Sequence, residues 1–134
     1  MDYVVYISTP VGKTEAQPLK TPLPLTKGRI IGGALFFPSG PAGMLHVIAK
    51  MGEHQIIPYN TGQNYRLHRC TFPLNIDIDI SEPPYILDVI TWNDSTSHAH
   101  ALTLAIFVDP WKPVRKRKGL AQKILDQVKG YHKP

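Results

Sequence analysis

Apolar residues recur along this chain with a period of two. The clearest stretch is Leu74, Ile76, Ile78 and Ile80 alternating with Asn75, Asp77, Asp79 and Ser81. A strand sends successive side chains to opposite faces, so this spacing predicts isoleucines turned inward and the polar set left in water. Other short runs rich in β-branched and aromatic residues read as strands at Tyr3–Ser8, Arg29–Phe37, Met44–Ala49, Gln55–Tyr59, Tyr65–Cys70, Tyr85–Thr91 and Ala101–Val108. Gly32-Gly33 inside the second of these predicts a bulge or a close backbone approach. Pro38-Ser39-Gly40-Pro41, Asn60-Thr61-Gly62 and Pro83-Pro84 supply turns between runs. The four prolines Pro10, Pro18, Pro22 and Pro24 make residues 10–27 an extended Pro-rich arm or loop.

About eight short strands with no helical period before Pro113 predict an all-β antiparallel sandwich over residues 1–110. No Asn-Gly or Asp-Gly dipeptide joins the strands. Long connections of the jelly-roll kind are therefore expected in preference to a meander.

The pattern changes after Trp111-Lys112-Pro113. Val114-Arg115-Lys116-Arg117-Lys118 is a basic run, and from Leu120 to Lys129 the apolar period becomes helical. Leu120, Ile124 and Val128 stand at i, i+4 and i+8, with Leu125 beside them, so a short amphipathic helix is expected over residues 120–129. Gly130 is placed to end it. A helix of that length is marginal alone in water, where about 12–15 residues are needed, so its apolar stripe calls for a docking surface.

Charge follows the same division. Residues 1–110 hold seven Lys/Arg against nine Asp/Glu, a balance of −2; residues 111–134 hold eight Lys/Arg against Asp126, a balance of +7. Together they give the net +5 of the chain. The basic run Arg115, Lys116, Arg117, Lys118 and the apolar positions Leu120, Ile124, Leu125 and Val128 are therefore the expected partner-binding residues. An acidic protein surface is the leading partner and nucleic acid the second, by sequence-independent phosphate contact.

Length and composition bound the rest. The chain has 134 residues, 43% hydrophobic and 19% charged, which suffices for one core without disulfides or a structural metal. The solitary Cys70 reads as a small apolar strand residue. The first residues lack the basic region and apolar stretch of a secretory signal, and no apolar run approaches a membrane span, so no membrane partner is expected. Asn93-Asp94-Ser95 matches a glycosylation acceptor triplet, uninformative without such a signal.

Candidate chemistry is sparse. His98 and His100 share a strand face, and His46 and His54 might converge on them as a metal site. The spacing is similar to the cupins, whose acidic ligand should follow a few residues on; Ala101-Leu102-Thr103-Leu104-Ala105 contains none. Asn75, Asp77 and Asp79 share a face but stand about 6.5–7 Å apart in succession, too far for two carboxylates to hold one cation unaided. No Gly-x-Ser-x-Gly and no phosphate-cradling loop occurs. The sequence thus points to a non-enzymatic chain with no cofactor. A carbohydrate-binding alternative would use Tyr59, Asn60, Tyr65, Trp92 and Asn93, although Trp92 reads more readily as core.

Several segments occur in a familiar order: Leu25-Thr26-Lys27-Gly28-Arg29-Ile30, Phe37 through Val47, His54 through Asn60, Pro84-Tyr85-Ile86-Leu87, Trp92-Asn93 and His100. Over about residues 22–110 the chain resembles small virion structural proteins of tailed bacteriophages and prophages. The resemblance implies a jelly-roll domain that decorates or stabilises a capsid or forms part of a spike. It also implies a symmetric homo-oligomer contacting other virion proteins, located in the virion.

Overall fold

The computed structural model describes residues 1–110. Those residues are all-β: β1 (Asp2–Thr9), β2 (Leu19–Pro24), β3 (Gly28–Phe37), β4 (Leu45–Met51), β5 (His54–Ile57), β6 (Cys70–Leu74), β7 (Ile78–Ile80), β8 (Ile86–Asn93) and β9 (His100–Pro110). They form two antiparallel sheets. The five-stranded sheet runs β1-β9-β3-β6, with β7 also paired to β3; the four-stranded sheet runs β2-β8-β4-β5.

Alternation builds the core. In β9, Leu102, Leu104, Ile106 and Val108 are buried while Ala101, Thr103, Ala105 and Phe107 lie between them and are only partly covered. Ile30, Leu35 and Phe37 of β3 join them from the same sheet. Leu23, Leu45, Val47, Ala49, Leu87 and Val89 from the other sheet complete one continuous cluster. Each large side chain so buried contributes about 1.5–3 kcal/mol relative to exposure.

The expected irregularity at Gly32-Gly33 is present. The register of β3 against β9 shifts between Ile30 and Gly32. A Cβ on Gly33 would collide with the carbonyl oxygen of Ala105, so glycine lets these two strands approach.

Three expectations change. Residues 19–24, read as part of an arm, form β2 and pair with β8 from Leu19↔Thr91 to Pro24↔Ile86. The strand is at a sheet edge, where Pro22 and Pro24 can lack an N–H without breaking a ladder. Tyr65–Cys70 is not a strand. Tyr65 instead forms an isolated bridge with Val47, and the pairing with β3 begins only at Cys70. The intervening turn is made at Arg69, which has φ of 49° and donates its backbone N–H to Pro38 O at 3.2 Å. Finally, the described residues hold one more strand than expected, because the alternating segment 74–80 divides into the end of β6 and β7.

Candidate functional site

The outer face of the five-stranded sheet is the most distinctive surface. Across it, Val4 stands opposite Ala105, Ala105 opposite Ala34 and Ala34 opposite Pro73. The next outward row is Tyr6, Thr103, Phe36 and Thr71. Neither row contains a charged residue. Val4 is 64% exposed, Tyr6 69%, Phe36 47% and Ile31, at the bulge, 55%.

The two ends of this face differ. At one, Phe36, Phe37, Pro38, Ser39, Arg69, Cys70 and Thr71 line an open depression of about 570 Å³. At the other, Asp2 pairs with Phe107, and Arg29 lies between Asp109 and Asp79 in the ladder. Arg29 ion-pairs through Nε with Asp77 and through Nη1 with Asp79 at 2.8 Å. The hydrogen bond from Arg29 holds the Asp77 carboxyl below its ordinary range, and the two carboxylates raise the guanidinium further above its own. Thus Asp77 and Asp79, considered as cation ligands, clasp an arginine.

The four-stranded sheet presents a different exterior. Asp88 of β8 stands opposite Pro22 on one side and Lys50 on the other, and Lys20 reaches Asp88 at 3.6 Å. Farther along, His46 lies stacked on Trp92, with ring centroids 5.0 Å apart and planes 6° from parallel. The His46 Nδ1 is 2.7 Å from Asn64 Oδ1, and Nε2 is 2.6 Å from Asp94 Oδ2. Both ring nitrogens are thereby engaged, and neither contacts a hydroxyl or thiol that it could activate. This arrangement ties the loops carrying Asn64 and Asp94 to β4.

Asn93 and Gln55 do similar work. The buried Asn93 donates through Nδ2 to Thr9 O at 3.2 Å and His98 O at 2.8 Å, while its Oδ1 accepts from Ser95 N at 3.0 Å. Gln55 Nε2 donates to Pro58 O and Gln63 O, both at 2.9 Å. Thr9 and Thr91 hydroxyls, 2.8 Å apart, link the two sheets. No buried side-chain polar atom of the described residues lacks a partner.

The residues singled out for metal binding are not brought together. His46 is consumed as above, His54 is exposed on β5, and His98 Nδ1 bonds to Ser97 Oγ at 2.8 Å. His100 opens β9; burial, and secondarily the charge of His98, holds its imidazole below the ordinary range. Among the described residues, no three His, Cys, Asp or Glu side chains are grouped so as to hold a metal.

The carbohydrate set is likewise dispersed. Trp92 and Asn93 are buried and structurally engaged. Tyr59 and Tyr65 share a cleft of about 60 Å³ with Asn75, room for a few water molecules. Cys70 is partly exposed in the depression at the end of β3. Arg115, Lys116, Arg117, Lys118, Leu120, Ile124, Leu125 and Val128 lie outside the described residues.

The apolar outer face escaped sequence reasoning although a signal for it existed. Tyr3–Ile7 and Ala101–Val108 lack the polar alternation of Leu74–Ser81, and a near-continuous apolar run is what a strand covered on both faces shows. No protein-family model matches the sequence, and neither does any curated protein.

Proposed function

We propose that the chain is a non-enzymatic structural component of a virus particle: a jelly-roll subunit of the capsid-decoration or spike type found in tailed bacteriophages. It would act as a homo-oligomer in contact with other virion proteins. The strand pairing carries this reading. β1 pairs with β9, β2 with β8, β3 with β6 and β7, and β4 with β5, the ladder of one long antiparallel hairpin. Contacts of β9 with β3 and of β8 with β4 then join these pairs into two sheets. That wrapping supports the jelly-roll reading, a fold whose common occupations are capsid subunit, lectin and cupin.

The surfaces favour the first occupation. A lectin needs aromatic and polar groups gathered in an open site, whereas Trp92 and Asn93 are buried. A cupin needs converging ligands, whereas His46 and His98 are bonded elsewhere. A subunit that packs against neighbours needs an uncharged contact face of the kind carried by Val4, Tyr6 and Phe36. The C-terminal basic segment would supply a second attachment, adding avidity in a symmetric assembly.

The test is cryo-electron microscopy of particles purified from a culture that produces the chain. Symmetry-related copies fixed in the particle shell or spike are expected. Recovery of the chain only in the particle-free fraction would overturn the reading.

A further inference from the structure

The first strand has an open side, and one pair of residues fixes the phase of its backbone. Met1 and Val108 exchange both backbone bonds, Val108 N–H to Met1 O at 2.7 Å and Met1 N to Val108 O at 2.7 Å. In an antiparallel ladder such doubly bonded pairs alternate with unbonded ones. The register of β1 on β9 runs unbroken from Asp2↔Phe107 to Thr9↔His100. Tyr3, Val5, Ile7 and Thr9 therefore bond to β9, whereas Asp2, Val4, Tyr6 and Ser8 turn N–H and C=O toward the open side. No strand of the described residues lies beyond β1.

The other edges are blunted in the ways that keep sheets from joining. β2 carries Lys20, Pro22 and Pro24, β5 is four residues long, and β6 has five residues with Pro73 among them. β1 has eight residues, no proline, no lysine and no register shift. Its one charge, Asp2, stands at the end. Such a strand is a template on which another strand can add.

We propose that β1 pairs antiparallel with β1 of a second copy, about a two-fold axis perpendicular to the sheet and passing between the two Val5 residues. Val4 then stands opposite Tyr6 of the second copy and Asp2 opposite Ser8, each pair occurring twice by symmetry. Every outward-turned N–H and C=O of the strand finds a partner, in about eight bonds. The Val4–Tyr6 contact joins a β-branched to an aromatic side chain, a favourable cross-strand pair, and no carboxylate faces another. Sliding the strands by one residue would set exposed side chains against inward ones, and sliding by two would leave Asp2 or Ser8 unmatched. The strand is thus complementary to itself in one register. The axis keeps both outer faces on the same side, so the uncharged surface continues from one copy to the other. This pairing deepens the homo-oligomer of the proposed function by naming its contact, and it rests on that part of the reading alone.

The experiment combines analytical ultracentrifugation of the full chain with amide hydrogen exchange read by NMR. The mass should rise with concentration from 15.0 kDa toward twice that value. The amides of Val4 and Tyr6 should exchange fast in the monomer and slow as the dimer fills. Val4→Lys with Tyr6→Lys sets like charges directly across the axis and should weaken association about tenfold or more. Val4→Lys with Tyr6→Glu sets opposite charges there and should restore it. Unchanged amide protection in β4 and β8 checks that both variants fold, and exchange in the unsubstituted chain needs no variant.

A chain that stays monomeric would overturn the pairing, as would equal association by the two variants. Val4 and Tyr6 amides already slow in the monomer would also overturn it, because the chain would then cover its own edge. A dimer in which those amides stay fast would overturn it too, while leaving the homo-oligomer standing. Whether the chain belongs to a particle is judged separately, by its recovery there.

Discussion

The two sheets share a core but solve their exteriors differently. Outside β4 and β8, polar side chains are tied down: His46 is clasped by Asn64 and Asp94 and stacked on Trp92, and Lys20 reaches Asp88. Outside β1, β9 and β3, apolar side chains are left uncovered by the described residues, and charge stands at the two ends of the face, around Arg29 and at Arg69. A surface with its polar groups satisfied internally is finished; a bare apolar surface is one half of a contact. The difference is why the proposed contact is placed on the outer face of β1, β9 and β3.

Substitutions on each side sharpen the contrast. The largest loss is expected for Gly33→Ala, whose new Cβ meets the Ala105 carbonyl and forces β3 from β9. Overpacking of this kind costs about 1–3 kcal/mol or more, so the urea midpoint should fall sharply and soluble yield with it. A midpoint equal to that of the unsubstituted chain would show that the two strands need no such approach.

Next comes His46→Ala, which strips Trp92 of its stacking partner and leaves Asn64 and Asp94 without theirs. A loss of about 1–3 kcal/mol is expected in chemical denaturation. On the opposite exterior, Val4→Ser with Phe36→Ser should cost less than about 1 kcal/mol, as surface positions do. If the double substitution destabilised the chain as much as His46→Ala, the contrast between a finished and an unfinished exterior would fail.

The smallest effect is on pH. Burial, then the neighbouring His98 charge, lowers the affinity of His100 for a proton in the folded state. The unfolded chain takes up that proton near the ordinary imidazole value of about 6.5, while the folded chain resists it. Stability from this group is thus fully present above that pH and is lost as pH falls through the depressed folded value. The thermal midpoint should fall more between pH 7.5 and 5.5 for the unsubstituted chain than for His100→Gln. Equal slopes would remove His100 from the account.

Much of the fold was legible because the core strands obey a simple period. Leu74, Ile76 and Ile80 are buried and Asn75, Asp77 and Asp79 are exposed, as alternation requires. Gly32-Gly33 marks the bulge. Local pattern was silent where long-range partners decide. Leu19–Pro24 is too proline-rich to read as a strand and becomes one only because β8 offers an edge. Tyr65 bridges to Val47, eighteen residues earlier, which no neighbouring residue announces. Asn93 entered the carbohydrate-binding alternative because its polarity is visible in sequence, whereas its engagement with Thr9, Ser95 and His98 is not.

The pairing of β1 with β9 has a consequence for how the chain reaches its native state. Asp2 finds Phe107, and Ser8 finds Ala101, only after nearly all of the intervening chain has been made. At a synthesis rate of about 5–20 residues per second, the first strand waits on the order of ten seconds for its partner. During that interval Tyr3–Ile7 is an unpaired apolar strand, a sticky end that a crowded ribosome must manage. Maturation of the described residues should therefore be limited by the emergence of β9, and production in dense culture by how well β1 is shielded meanwhile.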